Sequence, residues 1–416
     1  MDILEQHHSR IRKLQAIPCN DVRSPVFLAL SQLPMPELEQ AAIGHYNITS
    51  PVHFSDNTRF LLFNGYAPRL RKLALFRVRG FPDNQFEKLT HLSFTPEWYS
   101  TVKLPDLVAF LSQCPRLQHL ILASLHFNPA TRLVEQTVYL PHLRTLVIRS
   151  TRSLIEVDLI ISSIVTPPAS AVLISGAYIE EGLSNLRSIH PPNTSSHPFT
   201  RAHFDLHNNR LFMIVASKSS AISVDAIPNP TQESVAKIHD TIHWFQAETI
   251  TELWLRVESN PRSAPLLGLA HAFPSVTALV LRVDKYGLDD TYDTLLREDA
   301  WGMLHAPVLY IGPCVTYVRL CLWYGTIPPS VVGGLARKAM VGQRLEKLIL
   351  EIPHERVPAF DVVELEEYAV EVEIRRTSGC EWMEVPEAYA KRPHYRWPVW
   401  PERKRWAPIP DAPWAA

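Results

Sequence analysis

The chain has 416 residues, 46% of them apolar, and 41 Lys plus Arg against 42 Asp plus Glu give a net charge of −1. That length and apolar content suffice for an extensive core, while the near-zero balance excludes a global field that would draw in nucleic acid or acidic lipid, so any basic site must be local. Five cysteines (Cys19, Cys114, Cys314, Cys321, Cys380), an odd count without a C-x-x-C pair, argue against a disulfide framework and fit reduced, mostly buried thiols.

The start, "MDILEQHHSR", lacks the apolar core of a secretory signal peptide, so a cytoplasmic or nuclear location is expected. The most apolar run, "LIEVDLIISSIV" at 154–165, holds two acids and falls far short of the roughly 20 apolar residues that span a bilayer, so no membrane segment is expected.

Along the chain, Val26, Ala29, Leu30 and Leu33 form an apolar helix face closed by Pro34, and "PELEQAAI" at 36–43 follows. "PRLRKLAL" at 68–75 and "KLTHLSF" at 88–94 come next. A second helix face, Leu107, Phe110, Leu111 and Cys114, runs into Pro115 and "PRLQHLIL" at 115–122. "PHLRTLVI" at 141–148 and the weaker "PASAVLI" at 168–174 continue the series.

The pattern then lapses. "AHFDL" and "LFMIV", joined by "HNN", alternate as two strands of a hairpin. Asn229, Pro230 and Gln232 form a helix start, and "TITELWL" at 249–255 resumes the series. A third helix face, Leu266, Leu269, Ala270 and Phe273, meets Pro274 and "PSVTALVL" at 274–281; "CVTYVRL" at 314–320, a helix face at Val332, Leu335, Ala336 and Ala339, and "RLEKLIL" at 344–350 close it. Glu364, Glu366, Glu367, Glu371 and Glu373 read as the polar side of a last helix or strand. In "YAKRPHYRWPVWPERKRWAPIPDAPWAA" four tryptophans alternate with prolines and arginines, an extended tail that either offers "PVWP" or "PDAP" to a proline-recognising domain or, the preferred reading, caps the last repeat.

Each unit carries apolar residues at positions 0, 3 and 5, with position 0 at 38, 70, 89, 117, 143, 169, 250, 276, 315 and 345. Several steps are 26 to 28 residues, the spacing of leucine-rich repeats. One unit is a helix, a proline break and a short strand, and it cannot close a core alone. The expected fold is therefore α/β: an irregular leucine-rich-repeat solenoid with a curved parallel sheet on the concave face, helices on the convex face and an inserted β-hairpin. The expected organisation is N-terminal repeats over 1–175, an irregular insert with the hairpin over 176–230, C-terminal repeats over 231–385 and the tail over 386–416.

These repeats, the stretch "LFNGYAPRLRKLALFRV" at 62–78 and the phrase "FLSQCPRLQHLIL" are similar to the leucine-rich region of F-box proteins of mushroom-forming fungi, over roughly residues 20–375. The resemblance implies a repeat region that holds a target for ubiquitination, with an F-box helix cluster docking the adaptor of a cullin-RING ligase. "LPMPEL" at 33–38 is similar to the opening of an F-box, but the repeat register accounts for the same residues. Either an F-box precedes this chain, or the chain is a repeat-only relative.

Strand alternation sends positions 3 and 5 to the core and positions 2, 4 and 6 to the concave surface. The candidate binding residues are accordingly His91, His119, Arg149, Trp254, Arg256, Arg282, Tyr317 and Arg319, expected to be exposed. Arg149, Arg256 and Arg282 share position 6, an arrangement that invites an anionic partner or a neighbouring acid such as Glu258. His239 and His243 stand at i, i+4, but the zincin glutamate and a third ligand are missing, so no metal is expected. No P-loop, nucleophile elbow or dinucleotide fingerprint occurs. The expected function is a non-enzymatic, cofactor-free module that binds an unidentified protein target, with neither nucleic acid nor membrane as partner. The competing reading is a free-standing scaffold or sensor for an anionic ligand or phosphopeptide.

Overall fold

In a computed structural model, the described residues are 2–16, 30–44, 59–78, 80–96, 101–127, 137–149, 154–179, 198–207, 210–228, 247–258, 269–284, 309–322, 327–356, 360–378, 383 and 385. Among the described residues the fold is mixed α/β, with fifteen main strands and few helices, and the strands pair mostly in parallel. The described residues fall into two compact units, one of residues up to 149 with 162–167, the other of 154–161 with 168–385.

In the first unit six strands lie side by side in chain order, all parallel: β1 (Lys13–Ala16), β2 (Gln40–Gly44), β3 (Lys72–Val78), β4 (His91–Pro96), β5 (His119–Ala123) and β6 (Thr145–Arg149). Position 3 forms one continuous row, Ala41, Leu73, Leu92, Leu120 and Leu146, and position 5 a second, Ile43, Leu75, Phe94, Leu122 and Ile148. Every one of these side chains is buried. Each buried leucine contributes about 1.5–3 kcal/mol, and its row neighbours on the adjoining strands cover part of that area.

The second unit orders its strands β7 (Ala171–Ile179), β10 (Ala221–Pro228), β9 (Arg210–Ala216), β8 (Arg201–His207), β11 (Glu252–Glu258), β12 (Ala278–Asp284), β13 (Tyr317–Leu322), β14 (Leu345–Pro353) and β15 (Ala369–Thr377). Strands β8, β9 and β10 form an antiparallel meander, and the remaining pairs are parallel. The strands carrying "AHFDL" and "LFMIV" are thus joined by a third, and all three lie within the ladder. Ala202, Val215 and Ile222 continue the position-3 row into Leu253, Leu279, Val318 and Leu348, so the apolar row passes through the meander unbroken.

The recurring proline has a more local role than ending a helix. At Met35–Leu38, Ala67–Leu70, Cys114–Leu117, Leu140–Leu143, Phe273–Val276 and Gly312–Val315 the position-0 N–H donates to the carbonyl three residues back, at 3.1–3.3 Å. Each segment is a tight turn with proline second (Pro36, Pro68, Pro115, Pro141, Pro274, Pro313), where its fixed φ is already correct. None of the third residues has a positive φ, which makes the turns type I.

A further device repeats at position 1. The carbonyl of Thr251 accepts the N–H groups of Thr277 and Ala278, and that of Thr277 accepts those of Thr316 and Tyr317. The hydroxyls of Thr251 and Thr277 also donate to the position-1 carbonyl of the preceding strand, each at 3.2 Å, as Thr90 does to Arg71 at 3.1 Å.

Among the described residues the helices follow the periodicity in part. Residues 30–32 are helical and Leu33 stands just past the helix end, while Val26 and Ala29 of the first expected face lie outside the described residues. Leu104–Ser112 (α1) forms as expected and buries Leu107, Phe110 and Leu111, with Phe110 against Phe81 and Phe86. Of the third expected helix, Leu269–Ala272 form a 3-10 turn, and Leu266 lies outside the described residues. Pro329–Met340 (α2) ends at Gly342, whose φ of +75° suits a left-handed helix stop. Its buried face is not Val332, Leu335, Ala336 and Ala339 but Val331, Gly334, Leu335 and Lys338. The rotation follows from two contacts: Gly334 lies against the Leu309 backbone, and Lys338 Nζ donates to the carbonyls of Gly312 and Pro313 at 2.9 and 3.0 Å.

Candidate functional site: the face opposite the leucines

Pleating places positions 2, 4 and 6 of every strand on the face away from the leucine rows. All eight candidate residues fall on it. His91, His119 and Tyr317 hold position 2, Trp254 and Arg319 position 4, and Arg149, Arg256 and Arg282 position 6. Arg256 and Arg282 are direct register neighbours.

Their expected exposure is corrected. Seven are half-buried and Arg319 is buried, at 8% exposed. Position 4 explains this: Ala42, Ala74, Ile121 and Val147 in the first unit, and Ile214, Val280 and Ile349 in the second, are small or apolar and buried. Side chains on strands about 4.8 Å apart shield one another along this middle row, leaving position 2 of the first unit and position 6 of the second as the more polar margins.

In the second unit the charges on this face meet partners within the chain. Arg256 Nη1 lies 2.9 Å from Asp205 Oδ2, and Arg319 Nη2 lies 2.6 Å from Glu351 Oε1. Glu351 also accepts from Cys321 Sγ at 3.3 Å. The Arg319 guanidinium stands 5.9 Å from the centre of the Trp254 ring, whose Nε1 donates to Glu252 at 2.5 Å. Lys347 bridges Glu371 and Glu373, and Glu373 receives Arg375. Burial, with Arg256 and Arg282 nearby, holds His203 down at about 4, so its ring is neutral at neutral pH. Burial likewise raises the Tyr317 hydroxyl above its ordinary range.

The first unit differs. Lys72, His91, His119 and Thr145 occupy one position-2 row. The rings of His91 and His119 stack at 4.5 Å between centres, and Thr90 Oγ1 lies 2.8 Å from His91 Nδ1. Burial, the neighbouring His119 and Lys72 bring His91 down to about 4; burial, Arg144 and Lys72 lower His119. His119 Nδ1 and the Thr145 hydroxyl are enclosed without a hydrogen-bond partner among the described residues.

Sequence reasoning passed over Lys72, Thr145, His203, Asp205, Cys321 and Glu351. Carrying the register through the meander brings Asp205 opposite Arg256, and the residue after position 5 of "RLEKLIL" is Glu351, opposite Cys321. The side chain of Glu258 lies outside the described residues, as do His239, His243, Cys19, Cys380 and the tail over 386–416. Cys114 and Cys321 are buried, and burial pushes the Cys114 thiol up to about 12; Cys314 is exposed. Among the described residues no group of three or more His, Cys, Asp or Glu is placed to hold a metal, and no helix is long and apolar enough to cross a membrane.

Comparison with protein-family models, with curated proteins and with solved structures gives no match.

Proposed function

We propose that this chain is a protein-protein interaction module: an irregular leucine-rich-repeat solenoid, concave on the sheet side and convex on the helix side, working in the cytoplasm or nucleus and performing no chemistry of its own. It resembles the target-holding region of an F-box ubiquitin-ligase receptor. The observation that supports this reading is the in-register stacking of Leu73, Leu92, Leu120 and Leu146, and of Leu253, Leu279, Val318 and Leu348. One face of each strand is spent on the core, which leaves the other, with its polar margins, as a broad contact surface.

Affinity purification of the full chain, with its native N-terminus intact, tests the ligase connection. Recovery of a cullin and its adaptor supports the receptor reading; their absence removes it. The competing reading, an anionic ligand held by the arginines, is weakened at Arg256 and Arg319, where Asp205 and Glu351 already supply the anions.

A further inference from the structure

The two units differ in the charge they place opposite the leucines. In the second, Asp205, Asp225, Glu252, Glu351, Glu371 and Glu373 stand among Arg201, Arg256, Arg282, Arg319, Lys347 and Arg375. In the first, the same face of six strands carries Lys13, Lys72, His91, His119 and Arg149, and its described residues include neither Asp nor Glu. At position 1, just ahead of this row, Arg12, Arg71 and Arg144 add cations and Glu39 is the single described acid. Among the described residues no carboxylate pairs with Lys13 or Lys72.

We propose that the position-2 row of the first unit, Lys13, Gln40, Lys72, His91, His119 and Thr145, receives an acidic extended segment of a partner protein. The inference rests on the interaction-module reading and names the class of target. Six strands about 4.8 Å apart make a row roughly 24 Å long, which matches about seven residues of extended chain. Carboxylates laid along it meet ammonium groups and imidazole N–H donors, the charge-assisted contacts that an acid-free row lacks. Thr145, 1% exposed, closes the row at its far end, and the half-buried Lys72, His91 and His119 and the exposed Lys13 carry its accessible donors. Burial is the main cause of the lowered affinity of both imidazoles for protons, and the positive neighbours add to it, His119 and Lys72 at His91 and Arg144 and Lys72 at His119. Apart from the imidazoles, Phe76 is the one described aromatic on this face, which disfavours a single-stranded nucleic acid, whose bases need rings to stack on.

The test titrates the full chain with a labelled peptide of ten glutamates, a peptide of ten glutamines and a ten-nucleotide oligouridylate. The glutamate peptide is expected to bind, to weaken as salt rises, and to lose roughly 5- to 10-fold in affinity with either Lys13→Gln or Lys72→Gln, a change on the order of one charge-assisted contact. Arg375→Gln, in the second unit, leaves that affinity unchanged. In the complex the His91 ring titrates above its free value of about 4. Failure of the glutamate peptide to bind, indifference of its affinity to both lysine substitutions, or binding of oligouridylate in its place each overturns the proposal. Neither ligase adaptor nor cullin enters this titration, so its failure leaves the ligase reading standing, and failed capture of those proteins leaves this row untouched.

Discussion

Arg319 and Glu351, on the adjoining strands β13 and β14, meet at 2.6 Å with both side chains buried. Taking two charges out of water is costly, and removing one partner leaves the other uncompensated. Glu351→Gln is therefore expected to destabilise the second unit by about 3–5 kcal/mol, read as a lower denaturant midpoint. The double replacement Arg319→Met with Glu351→Leu is expected to recover most of that loss. A Glu351→Gln midpoint equal to that of the parent would mean that the pair is open to water.

Helix α2 provides a test of close packing. A Cβ added at Gly334 would sit 2.4 Å from the Leu309 carbonyl oxygen, a backbone atom that cannot swing aside. In an open helix Gly→Ala stabilises by about 1 kcal/mol. Here Gly334→Ala is expected to lower stability by about 1–3 kcal/mol, the usual cost of overpacking. Chemical denaturation decides it by the sign of the change.

Much of the ladder was legible because its signal is local and repeats. Positions 3 and 5 of "PRLQHLIL" and its copies fixed the pairing of Leu120 with Leu92 and Leu146 without any knowledge of tertiary structure. The helices were less legible. The face of α2 was misplaced because Gly334 and Lys338 are not apolar, yet one is buried by close backbone approach and the other by the carbonyls that its ammonium reaches. Exposure opposite the leucines was misread for a related reason. Alternation gives the direction of a side chain, but the shielding of Arg319 depends on Trp254 and Glu351, which come from other strands. The threonines at position 1 were visible as Thr90, Thr251, Thr277 and Thr316, but their use appears only once the preceding carbonyl is in place.

His203 makes stability depend on pH. In the unfolded chain an imidazole takes up its proton near 6.5, whereas the folded chain holds His203 neutral down to about 4. Between those values the unfolded state binds more protons, so stability is complete above pH 6.5, falls as pH drops toward 4 and levels off below. The loss from this group is on the order of 3 kcal/mol. Denaturant midpoints at pH 7, 5.5 and 4.5 are expected to decline in the parent and to decline less in His203→Gln. Parallel declines in the two proteins would assign the effect to other groups.

Stacking in chain order is tested most directly by bridging cysteines across the first unit, in a protein with Cys19, Cys314 and Cys380 replaced by serine. Lys72→Cys with His91→Cys places thiols on register neighbours, whereas Lys13→Cys with His91→Cys places them three strands apart, roughly 14 Å. Dibromobimane, which fluoresces on joining two adjacent thiols, is expected to bridge the first pair rapidly and the second hardly at all. Equal bridging of both pairs, or bridging of the second alone, would contradict the stacked order from which the contact face and its basic row follow.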